Sequence, residues 1–225
     1  MENLTLSKVT LQVIKNVSIV NPTMKFFSGN YIYNCSPGFD VICKAKIKEN
    51  FPRDFCIDQV PTLLSLIDSF NEPFLDFYDN YLRISNNKSC VKYWYCDPEV
   101  VKVPSDINEK DISIKEPIAE FNISSEEIKR IFLMKSALSL DYFKIYSENG
   151  DVYLTLVDQE GITKDSYQYD THTKSNEDFS FYVNLSMVSL NLISSDYSCK
   201  VSENGLIEFY SEEFDLNYWV GGLTE

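Results

Sequence analysis

Histidine is nearly missing from this chain: 225 residues contain one, His172. That removes the usual general base and the commonest metal ligand, leaving acid–base chemistry to carboxylates scattered over polar stretches. His172 stands in "YDTHTKSNED", far from any cysteine pair, and reads as a loop residue. No G-x-S-x-G elbow, phosphate-binding loop, dinucleotide fingerprint or H-E-x-x-H occurs, so the sequence offers no catalytic site, cofactor or metal. No run of about eighteen apolar residues exists, which excludes a helical membrane span. The opening "MENLTLSKVT" has neither a basic stretch nor an apolar core, so we expect a protein that is not exported. Its six cysteines form no C-x-x-C pair and are expected as reduced thiols. Positive charge is also scarce, with 20 Lys and Arg against 34 Asp and Glu, a net charge of −14. A partner of nucleic acid should be basic, and bulk charge argues against one unless the charge is unevenly spread.

Aromatic residues are plentiful, with fifteen Tyr and fifteen Phe against seven Gly. Such a balance favours strands, because rings pack well on pleated surfaces. The tetrapeptide "SENG" occurs at 147–150 and again at 202–205, each time between strand-like runs. Asn-Gly between apolar runs is a strong hairpin signal. "SGN" at 28–30 occupies the matching place in the first half, between "TMKFF" and "YIYNC", and "FYDNYLRIS" supplies a further turn. Helix-like segments precede these turns at 6–16, 58–70, 124–138 and 184–193. A helix–strand–turn–strand unit therefore recurs four times, as two pairs half a chain apart. The stretch 98–117, with three prolines and no helical period, reads as a connector, and the boundary falls between domains 1–105 and 106–225.

The helices are argued locally. Ser7 is expected to cap the first, with Val9, Val13, Ile14 and Val17 buried. Asp58 is expected to cap the second, whose stripe is Val60, Leu63, Leu64, Ile67 and Phe70. Ser124 and Glu127 form a capping box, Ile123 and Ile128 a hydrophobic staple. Lys8 and Lys15 are seven apart on a helix segment without acids, and Lys129, Arg130 and Lys135 lie on the segment matching it in the second half. The acidic clusters fall in loops and strand ends. Two basic helices within an acidic protein either form matched cationic walls or are simply solvated faces. Lys44, Lys46 and Lys48 alternate as on a strand and read as an edge or outer surface.

"LTLSKVTLQVIKNVSIVNPTMKFFSGNYIY", "YWYCDPEVVKVP" and "SSEEIKRIFLMKSALSLDYFKIYSENGDVYLTL" together resemble the sliding DNA clamps of T-even-type bacteriophages, in order, spacing and total length. The resemblance implies an α+β fold of two similar clamp-type domains, each with antiparallel sheets and two helices on one face. It implies a homotrimer closed into a ring around duplex DNA, with Lys8, Lys15, Lys129, Arg130 and Lys135 facing the DNA. It further implies an ATP-driven clamp loader, a tethered DNA polymerase and a role extending to late transcription, all in the cytoplasm of an infected bacterial host. No membrane and no catalytic step are involved. Partner peptides would dock on Val100, Val101 and Val103 with Tyr218, Trp219 and Val220, although "YWV" reads equally as a last core strand. More cysteines and tyrosines, a shorter acidic tail and slightly shifted helix cations depart from the family pattern. The rival readings are a β-rich phage structural or adaptor protein and, more remotely, a carbohydrate-active protein using its carboxylates.

Overall fold

The computed structural model describes residues 3–101, 112–158, 163–184 and 195–224. The chain divides into two compact units, Met1–Phe39 with Cys43–Ser105, and Asp40–Ile42 with Asp106–Glu225. Of the helix expected at 184–193, Asn184 closes a strand that begins at Ser180, and the rest, like much of the connector, lies outside the described residues.

The first unit opens with α1 (Lys8–Val20), where the Ser7 hydroxyl accepts from the Thr10 amide at 3.2 Å as the sequence suggests. A second cap was invisible in the sequence. Glu49 accepts from the Ser7 amide at 2.8 Å and from the Thr10 hydroxyl. This contact sets the phase of the helix: Thr10, Val13, Ile14 and Val17 are buried, an i, i+3, i+4, i+7 ladder. Val9, expected inside, is 54% exposed because Thr10 takes the inward position. At the other end, the Asn34 side-chain amide donates to the carbonyls of Val17 (2.9 Å) and Asn21 (2.8 Å), satisfying groups the helix cannot bond itself.

Strands β1 (Met24–Phe26), β2 (Gly29–Cys35), β3 (Val41–Phe51) and β4 (Phe55–Ile57) follow. The turn at Gly29 does not make the expected hairpin. β1 pairs antiparallel with β4, Phe26 opposite Phe55, and β2 lies beside β3. Aromatic packing explains the choice: Phe26 stacks on Phe55 at 4.7 Å and meets Phe51 edge-on at 5.4 Å.

Helix α2 (Val60–Asp68) begins after Gln59 with Pro61 in its first turn and has no side-chain cap. Asp58, the expected cap, instead accepts from the Thr23 hydroxyl at 3.1 Å, while the Pro22 carbonyl takes the Val60 amide at 2.9 Å. Val60, Leu63 and Ile67 are buried, Leu64 is half-buried, and Phe70 lies beyond the helix end. The unit closes with the antiparallel sheet of β5 (Phe74–Phe77), β6 (Tyr81–Ser85) and β7 (Cys90–Trp94). Its first turn is the hairpin expected at "FYDNYLRIS".

In the second unit β8 (Ala119–Ile123) alternates buried and exposed residues and leads into α3 (Ser125–Leu138). The Ser124 hydroxyl caps the Glu127 amide at 3.2 Å, and Ile123 and Ile128 are both buried. Beyond α3 come β9 (Tyr142–Glu148), β10 (Asp151–Val157), β11 (Tyr167–Lys174), β12 (Ser180–Asn184), β13 (Tyr197–Val201), β14 (Leu206–Ser211) and β15 (Leu216–Gly221). They form two antiparallel runs, β11-β10-β9-β12 and β15-β14-β13-β8. His172 is therefore not a loop residue: it sits within β11 with φ 56°, near a register irregularity, its Nδ1 3.4 Å from the Asp170 carboxylate.

The two "SENG" copies make different turns. At 147–150, Glu148 pairs with Asp151 around Asn149 (φ 53°) and Gly150 (φ 83°), the two-residue turn whose twist suits a hairpin. At 202–205 the Ser202 amide reaches the Leu206 carbonyl and only Gly205 (φ 81°) is left-handed, a three-residue loop. The shared letters thus encode a hairpin but not one hairpin geometry.

Candidate nucleic-acid interface

Lys8 is the first residue of α1 and Lys15 follows two turns later, both exposed. The first turn of α1 has no acid. Lys15 also lines a cavity of about 670 Å³ between α1 and α2, with Leu11, Gln12, Ile19, Leu64 and Asp68. On α3, Lys129 and Arg130 are exposed and Lys135 is half-buried in the last turn, where the helix dipole favours a cation. Arg130 is partly committed, its guanidinium 2.9 Å from the Glu127 carboxylate. Exposed pairs of this kind are weak and screened by salt, so Arg130 remains available to a phosphate. Each unit therefore presents cations on a helix, and the residues named from the sequence lie on those helices. Chemically, such a surface attracts phosphate without reading base edges.

The other candidate group is more dispersed in character. Asp97 caps the 3₁₀ turn Pro98–Val100 by accepting from the Glu99 amide at 3.0 Å. Val100 is 61% exposed, whereas Val101 is buried. Val103 lies outside the described residues. Tyr218, Trp219 and Val220 are consecutive and all buried in β15, so this strand is covered on both faces. Trp219 stands opposite Glu208 in the β14–β15 ladder. Burial raises the Glu208 pKa, opposed by Lys200, the Ile114 amide and the Trp219 indole and reinforced by Glu120.

All six cysteines are free thiols. Burial pushes the Cys43 and Cys199 thiols upward, which makes them poor nucleophiles. No helix among the described residues is long and apolar enough to cross a membrane. Sequence reasoning missed Glu49, whose partners lie about forty positions away, and Trp94, which is 64% exposed on β7.

No family model matches the chain. The sliding clamp of Vibrio phage KVP40 is 23% identical over 222 residues, covering 96% of this chain and 97% of the relative. That of Escherichia phage RB69 is 20% identical over 193 residues, covering 82% of each. Among solved structures, the proliferating cellular nuclear antigen of Entamoeba histolytica superposes with a TM-score of 0.71 at 15% identity, covering 98% of both chains. The fold is that of a sliding clamp. The A. fulgidus PCNA bound to the C-terminal region of FEN-1 agrees, with a TM-score of 0.70 at 13% identity over 100% of this chain and 99% of that one. The resemblance of the sequence to the T-even phage clamps extends over nearly the whole chain.

Proposed function

We propose that this protein is a sliding clamp that encircles duplex DNA and tethers a replicative DNA polymerase for processive synthesis. The observation carrying this reading is the end-to-end agreement in sequence with phage sliding clamps and in fold with cellular ones. In this reading the protein performs a mechanical task rather than a catalytic one. Its domains are 1–105 and 106–225, joined by a connector near 98–117. Three copies form a closed ring that an ATP-driven loader opens around DNA in the cytoplasm of an infected host. Lys8, Lys15, Lys129, Arg130 and Lys135 face the duplex. Attraction to phosphate holds the DNA near the wall without arresting it, because it is the same at every base pair. The net negative charge of the chain repels DNA over most of the remaining surface and leaves retention to topology.

The open edge of β7, with Trp94 exposed, is the natural place for a neighbouring copy to continue the sheet. Val100, Val101 and Val103 of the connector, with Tyr218, Trp219 and Val220, form the dock for partner tails. Because the three β15 residues are buried, docking there requires the overlying chain to part.

Loading onto nicked circular duplex tests the whole reading. The protein, treated with a clamp loader and ATP, should stay with the circle and be lost when the circle is cut. Retention indifferent to DNA ends, or a native mass equal to one 26.1 kDa chain at high concentration, would instead fit a β-rich structural or adaptor protein.

A further inference from the structure

The first unit carries a second cationic surface that the channel reading leaves unused. On β3 the odd-numbered residues Cys43, Ala45 and Ile47 turn inward, and Glu49 turns with them to cap α1. The even-numbered Lys44, Lys46 and Lys48 therefore share the opposite face without an acid between them. Alternate residues on a strand repeat at about 6.8 Å. Beside this row runs a row of rings. Tyr31 and Tyr33 on β2 have centroids 6.3 Å apart, and Phe27 continues the row 6.0 Å from Tyr33. The Lys44 ammonium lies 4.2 Å from the Tyr31 centroid and 5.5 Å from that of Tyr33, and Lys46 lies 6.0 Å from Tyr31. These cation–π contacts hold the ammoniums along the rings instead of leaving them to swing in water. Tyr31 is 37% exposed.

We infer that the face formed by Phe27, Tyr31, Tyr33, Lys44, Lys46 and Lys48 binds single-stranded nucleic acid. Two parallel rows, one cationic and one aromatic, share a repeat close to the phosphate spacing of an extended strand. Phosphates lie along the lysines, and bases lie on the rings. Proteins that hold single strands without sequence preference combine these same two elements. An acidic polypeptide would use the lysines but leave three rings without a purpose, so the aromatic row favours a nucleic acid. Duplex DNA fits less well, because its bases are stacked on one another and unavailable to the rings. The surface needs only the first unit and is independent of whether the chain closes a ring.

The test is fluorescence anisotropy of the full chain with a labelled oligo-dT of about twenty nucleotides. Binding should weaken with salt, with a log–log slope of about −2 for three neutralised phosphates of a single strand. Lys46→Glu and Tyr31→Ala should each weaken it at least about tenfold, while Lys46→Arg and Tyr31→Phe retain it and Lys88→Glu, in the exposed turn between β6 and β7, leaves it unchanged. No binding of the oligonucleotide overturns the inference. So does binding that Tyr31→Ala does not alter, or that Lys88→Glu abolishes. Poly-glutamate binding this face more tightly than the oligonucleotide would assign it to acidic polypeptides and overturn it as well.

Discussion

Glu49 shows how one side chain can set the start of a helix from about forty positions away. Burial alone would raise its pKa, but hydrogen bonds from the Thr10 hydroxyl and the Ser7 amide and hydroxyl outweigh that and hold the carboxyl below its ordinary value. The folded pKa lies under the unfolded one, so the stabilisation is complete at neutral pH and fades as pH falls through the folded value. Removing an acceptor that serves two partly buried donors costs about 1–3 kcal/mol. Glu49→Ala should therefore lower the urea midpoint at pH 7, with Glu49→Gln intermediate. The gap between wild type and Glu49→Gln should close below the ordinary glutamate range. An unchanged gap at low pH would show that shape, not charge, makes the cap. Because α1 carries Lys8 and Lys15, loosening this cap should also blur the proposed DNA-facing surface, whereas Lys8→Glu should alter that surface and leave stability intact.

At the scale of elements, sequence was legible mostly where the determining contacts were local, although the local cap expected from Asp58 was displaced by its bond with Thr23. Ser7 and Ser124 cap their helices because the partner amides are three residues on. The burial of Val13, Ile14 and Val17 followed from spacing alone. What escaped was non-local: Thr10 in place of Val9, set by Glu49, and the pairing of β1 with β4, set by Phe51 and Phe55. The helix cations were visible because an acidic chain makes a basic helix conspicuous. The ion pair of Arg130 with Glu127 was missed even though it is local, since spacing shows only that two side chains can meet. The aromatic partners of Lys44 and Lys46 were missed because β2 and β3 come together only on folding.

The two "SENG" turns give this distinction a measurable form. Both Gly150 and Gly205 have positive φ, so an alanine at either position is strained by about 1–2 kcal/mol. A Cβ at 150 would meet only the Ser175 carbonyl at 3.5 Å, an ordinary contact. At 205 it would lie 2.9 Å from the Phe181 ring and 3.3 Å from the Gly222 carbonyl. Gly205→Ala should therefore destabilise more than Gly150→Ala in chemical denaturation. Equal losses would mean that Phe181 yields without resistance.

For the whole molecule, charge acts in opposite directions on assembly and on DNA. Each chain bears −14, so in the proposed ring three copies would repel one another wherever their surfaces are not in contact. The Debye length shrinks from about 30 Å at 0.01 M salt to about 8 Å at 0.15 M. Raising salt across this range should tighten trimer association, as read from sedimentation. The same change should weaken attraction between Lys8, Lys15, Lys129, Arg130 and Lys135 and the phosphates, because releasing counterions into a more concentrated salt solution gains less free energy. A loaded ring should nonetheless stay on a closed circle at 0.15 M, since topology rather than affinity retains it. Lys8→Glu with Lys129→Glu should lower polymerase processivity while leaving the sedimenting mass unchanged. If association and DNA attraction both weakened with salt, the contacts between copies would have to be ion pairs, and the open edge of β7 with Trp94 would not be the joint.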